Sequence, residues 1–313
     1  MTGTTINIVI AGPGAVGQVC GGKLSLAGNE VTFLARPGSD RIDQINRDGV
    51  RVQNLRDLGQ SFVAQASAVA SLEGARAADL VLLTTKTYSN AEVLPGLDPV
   101  VTDRTILLSL QNGVESAGQI REFFRRGCVL GAFCFMGAAV LPSGEVALNS
   151  PERVVIGDLD GRSANNVDLV LQAFQKARIV TDRSEDIQRA LWIKLLWNVG
   201  IFQWCAIEDK TIGALLSNSD GIRKVSEAMA ETVRVAQANG INLTEADIEP
   251  QIATALERYS PVTPSLLQDL RAGRPLEHHS FAGFVAREGK RLGIPTPIND
   301  QLLAALDKLT SKK

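Results

Sequence analysis

The chain has little of what metal, redox and polyanion-binding proteins usually carry. Its 313 residues include two histidines, and these are neighbours, His278 and His279. Adjacent positions on a helix point about 100° apart, so joint metal ligation is awkward; a surface or cleft-edge pair is the plainer reading, and no metal is expected. The four cysteines, Cys20, Cys128, Cys134 and Cys205, are scattered with no CxxC spacing. That excludes a disulfide framework and leaves reduced, buried thiols in a cytoplasmic protein. Charge of neither sign dominates, with 32 Lys plus Arg against 34 Asp plus Glu, so nothing points to nucleic acid or an anionic membrane as partner. The longest uncharged run, which contains "CVLGAFCFMGAAVLPSG", is shorter than a bilayer span and ends in a turn signal, as a buried strand does. The first residues, "MTGTTINIVIAG", show no basic n-region and no cleavage site, so no export signal is expected.

What is present is the profile of an ordinary globular chain, 45% apolar and 21% charged, long enough for about two domains. Residues 6 to 10 alternate as a strand, and then come Gly12, Pro13, Gly14, Ala15, Val16 and Gly17, followed by a helical pattern closing at Gly28. This is GxGxxG with a strand before it and a helix after it. Gly12 permits the tight turn, Gly14 lets the backbone approach a pyrophosphate, and Gly17 lets the helix pack against the strand. The plain alternative is a glycine-rich structural turn. The second strand, "EVTFLARPG", carries no carboxylate at its C-terminal end to accept from a ribose hydroxyl; Glu30 stands at the other end, and Arg36 stands in its place. An arginine there suits the 2′-phosphate of NADPH, the alternative being a surface side chain.

Two more buried strands follow, "ADLVLLTTKTY" and "RTILLSLQNGV". Ligands lie beyond the carboxyl ends of parallel strands, which places Thr85, Lys86, Gln111 and Asn112 to meet a cofactor or substrate. Lys86 also reads as a solvated lysine, and Asn112-Gly113 as turn chemistry. Further strands are expected within 128–158, then a helix over "NVDLVLQAFQKA" and a last strand at "RIVTD". From Ser184, read as a helix cap, no strand pattern recurs. The fold expected is therefore α/β: a Rossmann-like doubly wound sheet over 1–182, then an all-helical domain over 183–313 for substrate binding and dimerisation, in a possible homodimer.

The helix "RALWIKLLWNVGIFQWCAI" holds Lys194 and Asn198 in an apolar setting, with Phe202 on the same stripe at i, i+4 and i+8. A lysine there commonly snorkels to water. Paired with Asn198 at the start of the second domain, it reads instead as lining an interdomain cleft, where an ammonium neutralises a substrate anion or polarises a carbonyl.

With "GPGAVG", "TTK", "QNGV" and "LWIKLLWN" in this order, and "SLLQDLRAGRPLEHHSFAG" near the end, the chain resembles the ketopantoate reductase (2-dehydropantoate 2-reductase) family over essentially its whole length. The resemblance implies NADPH-dependent reduction of a 2-keto acid, 2-dehydropantoate to pantoate, in pantothenate biosynthesis. It implies that Lys194 is the catalytic lysine and Glu277 its acidic partner. Asn112 and Asn198 match amides near cofactor and substrate, Ser265 a hydroxyl near the substrate, and Arg36 and Lys86 contacts to the adenosine phosphate end of NADPH. The sequence departs from the family at Phe202, where a second Asn is usual, and at Ile212 and Val262, where further substrate-facing amides are expected. His278 and His279 replace an Ile-Asp-like pair. Lost hydrogen bonds relax or change substrate preference, so a less polar 2-oxo acid stands as an alternative. A β-hydroxyacid dehydrogenase shares the two-part plan but needs a glycine-rich substrate loop not seen after "FCFMG". An NADP-binding sensor would keep the glycine turn without needing Lys194, Asn198 and Glu277 together.

Overall fold

The computed structural model describes residues 5–150 and 152–311. The chain forms two compact units. One takes the residues up to Gln111 together with Glu115–Ile187, and the other takes Asn112–Val114 and the chain from Gln188 onward.

The first unit is α/β. Its strands are β1 (Asn7–Ala11), β2 (Glu30–Leu34), β3 (Val50–Asn54), β4 (Phe62–Ala64), β5 (Ser67–Val69), β6 (Leu80–Leu83), β7 (Ile106–Ser109), β8 (Cys128–Phe135), β9 (Ala138–Val140), β10 (Val146–Leu148), β11 (Arg153–Gly157) and β12 (Val180–Ser184). Its helices are α1 (Ala15–Leu26), α2 (Asp40–Asp48), α3 (Asn90–Leu97), α4 (Ser116–Phe124) and α5 (Ala164–Lys176). Eight strands form the main sheet in the order β12-β11-β8-β7-β6-β1-β2-β5, parallel from β5 to β8, with β11 antiparallel to β8. Every residue of β1, β6 and β7 is buried. Continuous apolar strands of this kind belong to a sheet covered on both faces. The chain leaves β1 for β2 on one side and later returns to β6 on the other. The strand order therefore reverses at β1, and in sheets of this kind ligands lie beyond the carboxyl ends of the strands at such a point.

A second, four-stranded sheet, β4-β3-β10-β9, accounts for part of the 128–158 stretch. The run "VLGAFCFMGAAV" is split: β8 stays in the main sheet, while β9 pairs with β10 in the small one. Ser184 is not a helix cap. It ends β12, in register with Gly157 of β11, and the next helix starts at Ile187.

Among the described residues the second unit has no strand. Its helical path runs through α6 (Ile187–Leu196), α7 (Gln203–Glu208), α8 (Ile212–Leu215), α9 (Ser219–Ala238), α10 (Ile248–Tyr259), α11 (Ser265–Arg271), α12 (Ala282–Leu292) and α13 (Pro297–Thr310). Leu195, Val199, Val225, Met229, Val233, Leu267 and Leu302 meet in one apolar core. Glu231 of α9 is buried there, and its carboxylate accepts from the backbone N–H groups of Ile298 and Asn299 and from Asn299 Nδ2. An acid at the first turn of α13 takes up amides that the helix itself leaves unused. The rod Ile187–Glu208 is long and apolar enough to cross a bilayer, but 78% of its most apolar window is buried inside the protein.

Candidate active site

The first unit builds the glycine turn from the end of β1. Gly12 has φ +99°, and a Cβ placed on it would lie 2.6 Å from Thr85 Cγ2. A Cβ on Gly17 would lie 2.3 Å from the Gly12 carbonyl oxygen and 2.6 Å from Thr84 Oγ1. Both positions need glycine for structural reasons. Gly14 differs: it is the exposed N-cap of α1, and a Cβ there would meet nothing within 4 Å. The first turn of α1 contains no acidic residue. Exposed backbone beside unused helix amides is a cradle that a phosphate fits. Pro13 supplies a carbonyl to Gln18 Nε2 at 2.9 Å, which fixes the turn, while Ala15 and Val16 open the helix, half-buried.

The ends of neighbouring strands surround the turn. Thr84 Oγ1, just past β6, donates to the carbonyls of Ala11 and Gly12. Thr85 Oγ1 accepts from Gln111 Nε2 at 3.2 Å, and the same amide donates to Asn90 Oδ1 at 2.7 Å. Asn90 in turn donates to Gln119 Oε1 at 2.7 Å. Thr85 and Gln111 are among the candidates the sequence offers, whereas Asn90 and Gln119 are not, although an Asn opening a helix just after "TTKTYS" is a usable signal. Lys86 stands half-buried just before a short 3-10 turn. Arg36 is exposed beyond β2, 3.2 Å from Ser89 Oγ and 3.6 Å from Glu92. An exposed pair at that distance is weak, so the guanidinium can be drawn to a phosphate.

The second unit carries the remaining candidates. Lys194 lies in the last turn of α6 and is 9% exposed. The helix does not continue as one α-rod with Lys194, Asn198 and Phe202 on a single stripe. A π-helical segment, Trp197–Phe202, separates α6 from α7. Its i→i+5 bonding widens the turn by one residue, a device that recurs at functional sites. The phenyl ring of Phe202 still reaches Lys194, with Nζ 5.2 Å from the ring centroid. A cation over an aromatic face gains about 0.5–2 kcal/mol. Asn198 is fully buried, and neither its Oδ1 nor its Nδ2 has a hydrogen-bond partner among the described residues. Gln203, five residues on, is in the same condition. Buried amides are normally paired, so both ask for a polar ligand or water.

Asn112 belongs to this unit, and its Nδ2 donates to Glu277 Oε2 at 3.3 Å. Glu277 is 4% exposed. Gly113, with φ +91°, brings its turn so close to the 3-10 turn His278–Ser280 that a Cβ would lie 3.2 Å from the Ser280 carbonyl oxygen. Ser265 opens α11 with its side chain exposed. The structure thus pairs Asn112 with Glu277 and Lys194 with Phe202. It does not present Ile212, which is 1% exposed in the helical core, and Val262 is 39% exposed. His278 and His279 do not diverge. They sit on a 3-10 turn, and both Nε2 atoms approach Asp307. Burial, opposed by the Asp307 hydrogen bond, holds the His278 imidazole below its ordinary pKa. All four cysteines are free thiols, and burial pushes the Cys205 thiol up to about 12.

Two family descriptions match the chain: "Ketopantoate reductase PanE/ApbA" over residues 8–161 and its C-terminal counterpart over 186–310. A 2-dehydropantoate 2-reductase of Halobacterium salinarum is 31% identical over 94% of this chain and 95% of its own length. A PanE/ApbA family ketopantoate reductase from Ralstonia eutropha is similar in structure at TM-score 0.87 and 28% identity, covering 98% of this chain and 99% of the other. A D-mandelate dehydrogenase solved with NADH and anilino(oxo)acetate has TM-score 0.91 at 22% identity, with coverage of 98% and 99%, and shares the fold.

Proposed function

The chain belongs to the ketopantoate reductase family, a family of 2-hydroxyacid oxidoreductases that use a nicotinamide cofactor, and from that premise we propose that it reduces a 2-oxo acid to the 2-hydroxy acid with NADPH. The observation that carries the reading is Lys194, an ammonium 9% exposed in an apolar helix. Gly12, Gly14 and Gly17 take the pyrophosphate, with Ala15 and Val16 offering backbone N–H groups, and Arg36 and Lys86 take the adenosine phosphate end. The cofactor, when bound, supplies the hydride. As the C2 carbonyl of the substrate is reduced, negative charge gathers on its oxygen, and a fixed cation aimed at that oxygen lowers the barrier. Lys194 Nζ fills this role and then gives up a proton to the oxygen. Glu277, held by Asn112, orients the amine or accepts from a substrate hydroxyl. Asn198 supplies the donor and acceptor of a buried amide, and Ser265 a hydroxyl, to the substrate. Four free thiols suit a cytoplasmic protein.

The relatives' activity makes 2-dehydropantoate the first substrate to test. A second reading, an apolar 2-oxo acid, is favoured by the Phe202 ring beside the amine, where a hydroxylated substrate finds no hydrogen bond. NADPH consumption over a panel of 2-oxo acids, with 2-dehydropantoate and phenylglyoxylate included and NADH as comparison, decides between them. Lys194→Ala should bind NADPH as before and lose about 10²–10⁴-fold in kcat/KM. Equal turnover in that variant rejects the role of the lysine. No rate on any acid, with NADPH still bound, supports a sensor.

A further inference from the structure

The chain has two histidines, and both imidazoles turn towards one carboxylate oxygen. Nε2 of His278 lies 2.9 Å and Nε2 of His279 lies 3.2 Å from Asp307 Oδ1. The rings stand 4.3 Å apart with 37° between their planes, and the three donor atoms all fall within 4.8 Å of one another. The 3-10 turn at 278–280 makes this convergence, where an α-helical pair would splay. Helix α13 brings Asp307 to meet it.

Three such donors around an ion bonded at about 2.0–2.1 Å in tetrahedral geometry stand roughly 3.4 Å apart. The two nitrogen–oxygen distances therefore need to open by no more than roughly half an ångström to reach it. His278 is buried and anchors the corner, while the side chains of His279 and Asp307 are 62% and 46% exposed, leaving an entry path and room for solvent ligands. Two imidazoles with one carboxylate select late first-row divalent ions over magnesium or calcium.

We propose that His278, His279 and Asp307 form a three-ligand site for zinc or a similar divalent transition-metal ion, with solvent completing the coordination. The site is independent of the reductase reading. Its position gives it a consequence: it follows Glu277 directly in the chain, so an occupied site ties the turn behind that carboxylate to α13. Metal bound there steadies the segment that sets Glu277 against Asn112.

The test uses the full chain stripped with chelator. Zinc binding is measured by calorimetry, and coordination by the visible absorption of the cobalt(II) form. The expected result is one zinc per chain, a rise in Tm with zinc and none with magnesium, and a cobalt spectrum of nitrogen and oxygen ligands. His279→Gln replaces an exposed side chain, and Asp307→Asn keeps the size of a half-exposed one and an oxygen for the His278 ring; with Tm in the absence of metal as the check on the fold, each should weaken zinc binding by at least about tenfold. Absence of stoichiometric binding in the wild-type chain overturns the proposal. So does binding of equal strength in both variants, or a cobalt spectrum dominated by thiolate, which would place the metal at the cysteines.

Discussion

At the scale of single residues, Phe202 is the position where a specific substitution separates the two substrate readings. Its ring faces the Lys194 amine, where an amide would instead offer a donor and an acceptor. Phe202→Asn should shift the ratio of kcat/KM for 2-dehydropantoate over an apolar 2-oxo acid by about tenfold or more towards the hydroxylated acid. An unchanged ratio, measured on the same NADPH assay, shows that the ring does not meet the substrate. Lys194 and Asn198 stand out in the sequence as a charge and an amide in an apolar run, and both are buried rather than reaching water as a snorkelling lysine would. Their arrangement was not legible there, since sequence spacing assumes 3.6 residues per turn and the π-segment at Trp197–Phe202 breaks that rule. The pairing of Asn112 with Glu277 was equally hidden, because 165 positions separate them and the fold alone closes that gap.

At the scale of elements, the β1–α1 turn divides its glycines by task. Gly12→Ala forces a side chain into a left-handed backbone and against Thr85, and should cost about 2 kcal/mol of stability as well as cofactor binding. Gly14→Ala meets no protein atom, so Tm should hold while the KM for NADPH rises severalfold. Thermal melts beside cofactor titrations read the two effects separately, and a Gly14→Ala chain with unchanged KM would mean the phosphate lies elsewhere. This strand–turn–helix was readable because glycine spacing and strand alternation agree. The stretch from α2 to β5 was not read. Ile45 is the one buried residue of α2, and β4 and β5 have three residues each, too short for a period of two to register. Such elements exist because tertiary partners hold them: Asn46 in α2 donates to the Ala68 carbonyl and accepts from the Ala68 N–H, which pins β5 in place.

At the scale of the whole molecule, the chain as a whole is nearly neutral, yet its helical unit keeps carboxylates tied to nearby cations, and this sets its response to acid. Glu208 accepts from Lys210 and from Lys224, each at 2.7 Å, and those hydrogen bonds hold its carboxyl below the usual range. Arg291 does the same for Glu288 on α12. In the unfolded chain both acids return to about 4.5. The folded state therefore binds fewer protons than the unfolded one in this window, and stability falls as protons are added. The contribution is complete well above 4.5, begins to fall as pH approaches that value, and is lost as pH drops through the depressed folded values. Urea midpoints should accordingly change little between pH 7 and 5 from these groups and decline below that. Glu208→Gln removes the titrating carboxyl while keeping its shape, so the variant should start less stable at pH 7 and lose less on acidification. High salt, which screens partly exposed pairs, should narrow the difference between the two chains. Parallel midpoint curves for wild type and Glu208→Gln at every pH would show that Glu208 has the same proton affinity folded and unfolded, and that the acid response of this unit lies in other carboxylates.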